Sequence, residues 1–252
     1  MFDDAPLITA APQSVTATSM PSALEANMRR LRAVVEVAQC NSVHRAAERL
    51  HVTQSAVTRA VRALEADLGL TLFDRGPRGM ATTEYGEILV HRTQRALGYL
   101  DAVEADLARH SQSHAPRGGR KLAAKVAQRH LQTVRAVADF RTETAAAQQL
   151  GISQPAITLA LRDLEALLDT QMFQRTPKGM VPTPEGEIMI RGAKLALNEI
   201  EAAGADLAAR LGHVRGRLAV GVLPLSGTQI APEAGGREPG GTAVSPVEAV
   251  GH

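Results

Sequence analysis

Apolar residues recur at helical spacing along most of this chain, and the pattern is written twice. From Met28 to Gln39, Leu31, Val34, Val35 and Ala38 fall at i, i+3, i+4 and i+7, which predicts a first helix with one buried face. Asn41 and Ser42 stop it, and Ser42 is placed to cap the helix that follows. His44–Leu50 predicts a short second helix, in which Ala46 and Ala47 leave room for another helix to cross closely. His51 and Val52 form a tight turn, and Thr53 caps a third helix, TQSAVTRAVRALE. Three short helices joined by this turn describe a helix-turn-helix. Two short extended runs then flank a Gly/Pro turn, from Leu72 through Met80 to Thr83, which predicts a β-hairpin wing. Thr83 caps a long fourth helix over about Glu84–His110.

One hundred residues later the pattern returns. Set against residue n+100 without a gap, residues 28–108 are identical at 33 of 81 positions. Among them are Leu31/Leu131, Ala46–Ala47/Ala146–Ala147, Gln54/Gln154, Thr58/Thr158, Leu64–Glu65/Leu164–Glu165, Phe73/Phe173, Arg75/Arg175 and Gly86/Gly186. A gapless match of this length means one fold used twice. In the second copy Thr142 takes the place of Ser42, and Gly151 fills the turn where a left-handed residue is expected. Pro184 suits the first position of the second long helix.

The fold class that follows is mainly α: tandem winged helix-turn-helix domains, each followed by a long linker helix. The expected organisation is a tail over 1–26 and a first winged unit with its helix over 27–110. A basic linker spans 111–125 and a second winged unit with its helix 126–212. The remainder, 213–252, turns strand-like at Arg215–Val222 and then loses all period. The two long helices carry narrow apolar stripes, Leu89, Ala96, Leu100, Val103 and Leu107 in one, Met189, Ala196, Ile200, Ala203 and Leu207 in the other. Such a stripe either folds back on its own domain or pairs with a partner helix. A helix of about 40 Å outruns its small domain, which favours pairing.

Composition narrows the functional classes. Aromatics are 2% of the 252 residues and hydrophobic residues 44%, which suits small, close-packed helical cores. The formal net charge is only +2, so a nucleic-acid partner rests on where the arginines sit. A lone cysteine, Cys40, excludes an internal disulfide and reads as a small buried thiol. No apolar run is long enough to span a membrane and the first residues are acidic, so a cytoplasmic, nucleoid-associated protein is expected. No Gly-rich phosphate loop, nucleophile elbow or metal-spaced His/Cys cluster is present, so neither an enzyme nor a cofactor or metal is expected.

The candidate site is the first turn of each third helix and the wing beside it. A recognition helix offers short polar side chains at its N-terminal end to base edges. Thr53, Gln54, Ser55, Thr58, Arg59 and Arg62 are so placed, with Gln54 suited to adenine, Arg59 to guanine or phosphate, and Arg62 to backbone. Arg75 and Arg78 sit on the wing, where cations meet phosphate or the minor groove; Arg75, and Arg175 in the second copy, have the alternative role of bonding carbonyls at the wing base. In the second copy the matching residues are Ser153, Gln154, Pro155, Thr158, Arg162, Arg175 and Lys178. Arg29, Arg30 and Arg32 are further candidates for weak phosphate contact. The copies are unequal: Arg59 faces Leu159 and Ala63 faces Asp163 in the alignment. Residues 28–110 carry 12 basic against 10 acidic residues, and 126–210 carry 9 against 10. The first copy is therefore the stronger expected reader of DNA.

Together, Leu31, Ala46-Ala47, Leu50, Thr53-Gln54-Ser55-Ala56-Val57-Thr58, Leu64-Glu65, Leu72-Phe73, Arg75, Gly79, Thr83 and Gly86 resemble the DNA-binding end of LysR-type transcriptional regulators, and the second copy does so equally. The resemblance implies a sequence-specific regulator bound to double-stranded DNA. In that family one winged domain and its linker helix precede a two-lobed effector domain, and two subunits pair through antiparallel linker helices. Here two winged units share a chain, and only Arg215–Val222 resembles the start of an effector domain, so the end reads as a truncation and no small-molecule effector is expected. Self-association or an intramolecular pseudo-dimer through the long helices is implied, reading a pseudo-palindromic site. Two alternatives stand: a module that pairs through these helices with related regulators, or an inactive truncated product.

Overall fold

The long helices lie against each other, and each carries a winged unit at its start. The computed structural model describes residues 28–76, 79–110 and 122–212. The tail over 1–26, Arg78, the linker core Ser111–Lys121 and the strand-like Arg215–Val222 fall outside the described residues.

In the first unit α1 (Met28–Cys40), α2 (Val43–Leu50) and α3 (Gln54–Leu68) are followed by β1 (Phe73–Gly76), β2 (Gly79–Thr82) and α4 (Glu84–His110). After a single turn of helix, α5 (Leu122–Lys125), the second unit repeats the order with α6 (Gln128–Phe140), α7 (Glu143–Leu150), α8 (Gln154–Leu168), β3 (Phe173–Thr176), β4 (Gly179–Pro182) and α9 (Pro184–Arg210). Each hairpin is an antiparallel pair, with Phe73 opposite Thr82 and Phe173 opposite Pro182.

Local chemistry sets these boundaries. Ser42 accepts from the Arg45 N–H, Thr142 from Ala145, Thr53 from Ala56 and Thr183 from Gly186, each satisfying a donor the first turn leaves free. His51 and Gly151 take the left-handed conformation at the turn, with φ of 54° and 65°. Ala46, Ala47, Ala146 and Ala147 are buried, as close crossing of the second and third helices demands. The buried face of α1 is wider than its sequence spacing indicates, taking in Met28, Ala33 and Val37, because the helix touches α2, α3 and α4 at once. Cys40 is only partly buried, since it stands at the helix end beside Arg49.

The recognition helix is tied to its wing by a residue pair that recurs in both copies. Glu65 Oε1 accepts from the Leu72 N–H, and Glu165 Oε1 from the Met172 N–H, both at 2.9 Å. The next connection leaves no space for a side chain. A Cβ at Gly86 would lie 2.1 Å from the Leu72 carbonyl oxygen, and one at Gly186 1.9 Å from that of Met172.

The helices α4 and α9 make the most extensive contact in the protein and run antiparallel. Glu84 pairs with Arg210, Arg92 with Asp206 and Glu199, Arg95 with Glu199, and His110 approaches Glu185. Leu89, Ala96, Leu100 and Val103 are buried, as are Met189, Ala196, Ile200, Ala203 and Leu207, while Leu107 is partly buried. Each long helix also packs on the first helix of its own unit, α4 on α1 and α9 on α6. Pairing and folding back, set as alternatives by the sequence, thus coexist.

The joint between units sets one polar contact beside the buried Leu122, Ala123 and Val126. Arg32, expected at the surface, instead points inward from α1 and donates to the Val126 carbonyl at 2.6 Å. Burial holds its guanidinium down at about 10. Arg30 is paired with Asp67. Neither side chain stands free toward phosphate.

Candidate nucleic-acid interface

Each recognition helix begins at an exposed turn. In α3, Gln54, Ser55, Arg59 and Arg62 are exposed and Thr58 is partly buried. The Thr53 hydroxyl accepts from the Ala56 N–H at 3.2 Å and lies 3.1 Å from the Ser55 hydroxyl, so it is engaged in the cap. The helix packs through Val57, Val61, Leu64 and Leu68. That four-residue face fixes the rotation of the helix and leaves Gln54, Ser55, Arg59 and Arg62 on the outside. Arg75 is exposed on β1.

The second unit is built alike and differs where it counts. Ser153 makes no side-chain cap bond; Pro155 in the first turn supplies a pre-set φ instead. Gln154, Pro155, Arg162 and Lys178 are exposed, and Leu159 is exposed to 61% where the first unit has Arg59. Asp163 does not stand alone against an incoming phosphate, because it pairs with Arg129 at 3.2 Å.

The larger difference is Glu143, the first residue of α7, which is buried. Its Oε2 accepts from Gln154 Nε2 at 2.8 Å and from the Thr158 hydroxyl at 2.7 Å. Its Oε1 accepts from the Arg175 guanidinium at 2.6 Å. Arg175 therefore binds a carboxylate of the second helix, not the carbonyls at the wing base. Burial pushes the Glu143 carboxyl up, but the bonds from Thr158, Gln154 and Arg175 outweigh it and hold the group below its ordinary range. In the first unit Val43 occupies the matching place and packs against the core. Sequence reasoning passed over Glu143. The available signal was the n/n+100 alignment itself, which sets a carboxylate against valine beside the Ser42/Thr142 cap.

The surfaces brought together are thus Gln54, Ser55, Thr58, Arg59 and Arg62 on one helix, and Gln154, Thr158 and Arg175 around one carboxylate on the other. Among the described residues no group of three or more His, Cys, Asp or Glu is placed to hold a metal ion. No helix among them is long and apolar enough to cross a membrane.

Residues 28–87 and 128–187 each match the profile of bacterial regulatory helix-turn-helix proteins of the lysR family. Each winged unit is thus a helix-turn-helix domain of the lysR family. It is similar to the HTH-type transcriptional regulator GalR of Pseudomonas putida, 38% identical over 208 residues, which are 82% of this chain and 50% of GalR. It is also similar to the regulator PcaQ of Agrobacterium fabrum, 42% identical over 85 residues, or 32% of this chain and 27% of PcaQ. A solved OxyR mutant of Corynebacterium glutamicum, bound to hydrogen peroxide, is 31% identical over 35% of this chain and 27% of its own, with a TM-score of 0.30. The chain therefore spans half or less of the length of these relatives.

Proposed function

We propose that this chain is a sequence-specific DNA-binding transcription regulator that reads a pseudo-palindromic site with two recognition helices of a single chain. The carrying observation is the antiparallel contact of α4 with α9, which sets one winged unit at each end of a helix pair. The proposal expects half-sites about one helical turn, or a multiple of it, apart. The residues proposed to meet DNA are Thr53, Gln54, Ser55, Thr58, Arg59, Arg62, Arg75 and Arg78 in the first unit, and Ser153, Gln154, Pro155, Thr158, Arg162, Arg175 and Lys178 in the second. The reading requires no small-molecule effector, and it places the protein with the nucleoid. A role in capturing related regulators would need α4 and α9 to separate, which their shared buried surface disfavours.

The interface itself supports pairing of α4 with α9 over pairing of like helices. Arg92 and Arg95 on α4 correspond to Gly192 and Leu195 on α9, and Glu199 corresponds to Tyr99. Only the mixed pair brings the two arginines to the carboxylate. Sedimentation and gel shifts on the DNA upstream of the chain's own gene test the proposal. The expected result is a monomer that binds one duplex, with binding weakened by Arg59→Ala. An obligate dimer whose long helices pair between chains overturns it.

A further inference from the structure

We propose that Glu143 sets the DNA affinity of the second winged unit by holding that unit's recognition side chains in an internal network, so that the first unit dominates binding. The inference rests on the DNA-reading role above and adds a residue that restrains it.

Gln154 Nε2 has two N–H groups; one goes to Glu143 and the other lies toward the Thr158 hydroxyl at 3.2 Å. A paired contact to adenine needs that amide to donate outward. The hydroxyl proton of Thr158 goes to the same carboxylate at 2.7 Å. Arg175, whose side chain is 71% exposed, spends its charge on Glu143 at 2.6 Å. A phosphate approaching Arg175 therefore competes with a carboxylate already in place and meets its negative charge. Among its described residues the first unit has no such competitor. Val43 is apolar, and among the described residues no carboxylate is bonded to Gln54, Thr58 or Arg75.

The geometry also explains why the restraint sits here. Glu143 is the first residue of α7, Gln154 and Thr158 lie on the first turns of α8, and Arg175 is on β3. One side chain thus spans all three elements of the reading head. Binding DNA through the second unit requires exchange of these three bonds for contacts to bases and phosphate. Gln54, Thr58 and Arg75 face no such exchange.

The full chain is titrated onto a short random-sequence DNA duplex by fluorescence anisotropy across a range of KCl, with circular dichroism melts alongside. The proteins are wild type, Glu143→Val, Glu143→Gln, Arg175→Ala and the Glu143→Val/Arg175→Ala double variant. Valine is what the first unit carries at this place, and Glu143→Gln tests the charge should valine fail to fold. We expect Glu143→Val to tighten binding on the order of tenfold and to steepen the log–log salt slope by about one, as one freed arginine contact requires. Arg175→Ala is expected to change little in the wild type and to cancel the gain in the double variant. Equal or weaker binding by both Glu143 variants, or an Arg175→Ala loss as large in wild type as in Glu143→Val, overturns the proposal. Failure of every protein to bind the duplex with salt dependence is a different result, which overturns the DNA reading itself.

Discussion

Arg92 on α4 and Glu199 on α9 lie 107 residues apart in sequence and meet at 3.0 Å. The Glu199 side chain is only 4% exposed, and its other oxygen takes Arg95 at 2.8 Å. A carboxylate so deeply buried is stable only while its cations are present, and its removal takes this partner from Arg95 and leaves Arg92 with Asp206. Glu199→Ala should therefore lower stability by about 1–3 kcal/mol, discounted for the partial exposure of both arginines. Urea denaturation measures it. A midpoint within error of wild type would show that the two arginines find equivalent partners in solvent.

The same seam closes most tightly at Gly192. A Cβ there would fall 2.0 Å from Val103 Cγ2, and Val103 is buried and stiff at χ1. Gly192→Ala should force the helices apart and cost about 1–3 kcal/mol, against the usual gain for alanine in a helix. Val103→Ala opens the space, so the double variant should recover much of the loss. Thermal melts of the two single variants and the double variant give the coupling; additive effects would place the contact elsewhere.

The units and the stripes that pair them were legible in the sequence, whereas the polar contacts between distant residues were not. Helical spacing and cap residues such as Thr53 and Thr183 act within a few residues, so each helix and hairpin can be read in place. The apolar stripe through Leu100 and Ile200 pointed to pairing for the same reason. Glu143, Arg92 and Glu199 are different: their meaning lies in partners 32, 107 and 107 residues away. Seen alone, each is one more charged residue on a helix. Arg32 misled for a related reason. A basic residue near a helix start reads as solvated, and only the folded joint shows the Val126 carbonyl waiting for it.

The bond from Glu165 to the Met172 N–H joins the recognition helix to the wing. Met172 is fully buried, so losing the acceptor leaves a backbone donor without water. Glu165→Ala should cost about 1–3 kcal/mol, while Glu165→Gln keeps an amide oxygen and should cost less than half as much. Hydrogen exchange at the Met172 amide is the direct readout. Faster exchange is expected in the alanine variant; equal protection in all three proteins would show that the carboxylate is dispensable.

Acid should destabilise the start of α6 through His130. This residue is buried, its Nδ1 accepts from the Ala127 N–H at 3.1 Å, and burial followed by the nearby Arg129 charge holds its pKa below 6.5. The folded state thus prefers neutral imidazole. Above 6.5 the ring is neutral in both states and the full stability is present. As pH falls below 6.5 the unfolded chain takes up the proton first, and stability declines toward the folded pKa by at most about 1.4 kcal/mol per pH unit. Glu143 contributes its own loss only below the ordinary carboxylate value of 4.5, because its pKa is lowered from there. The difference in melting temperature between wild type and His130→Gln from pH 7 to 5 therefore reports this histidine. Wild type should lose stability across that window and His130→Gln should be flatter; parallel profiles would remove His130 as the cause.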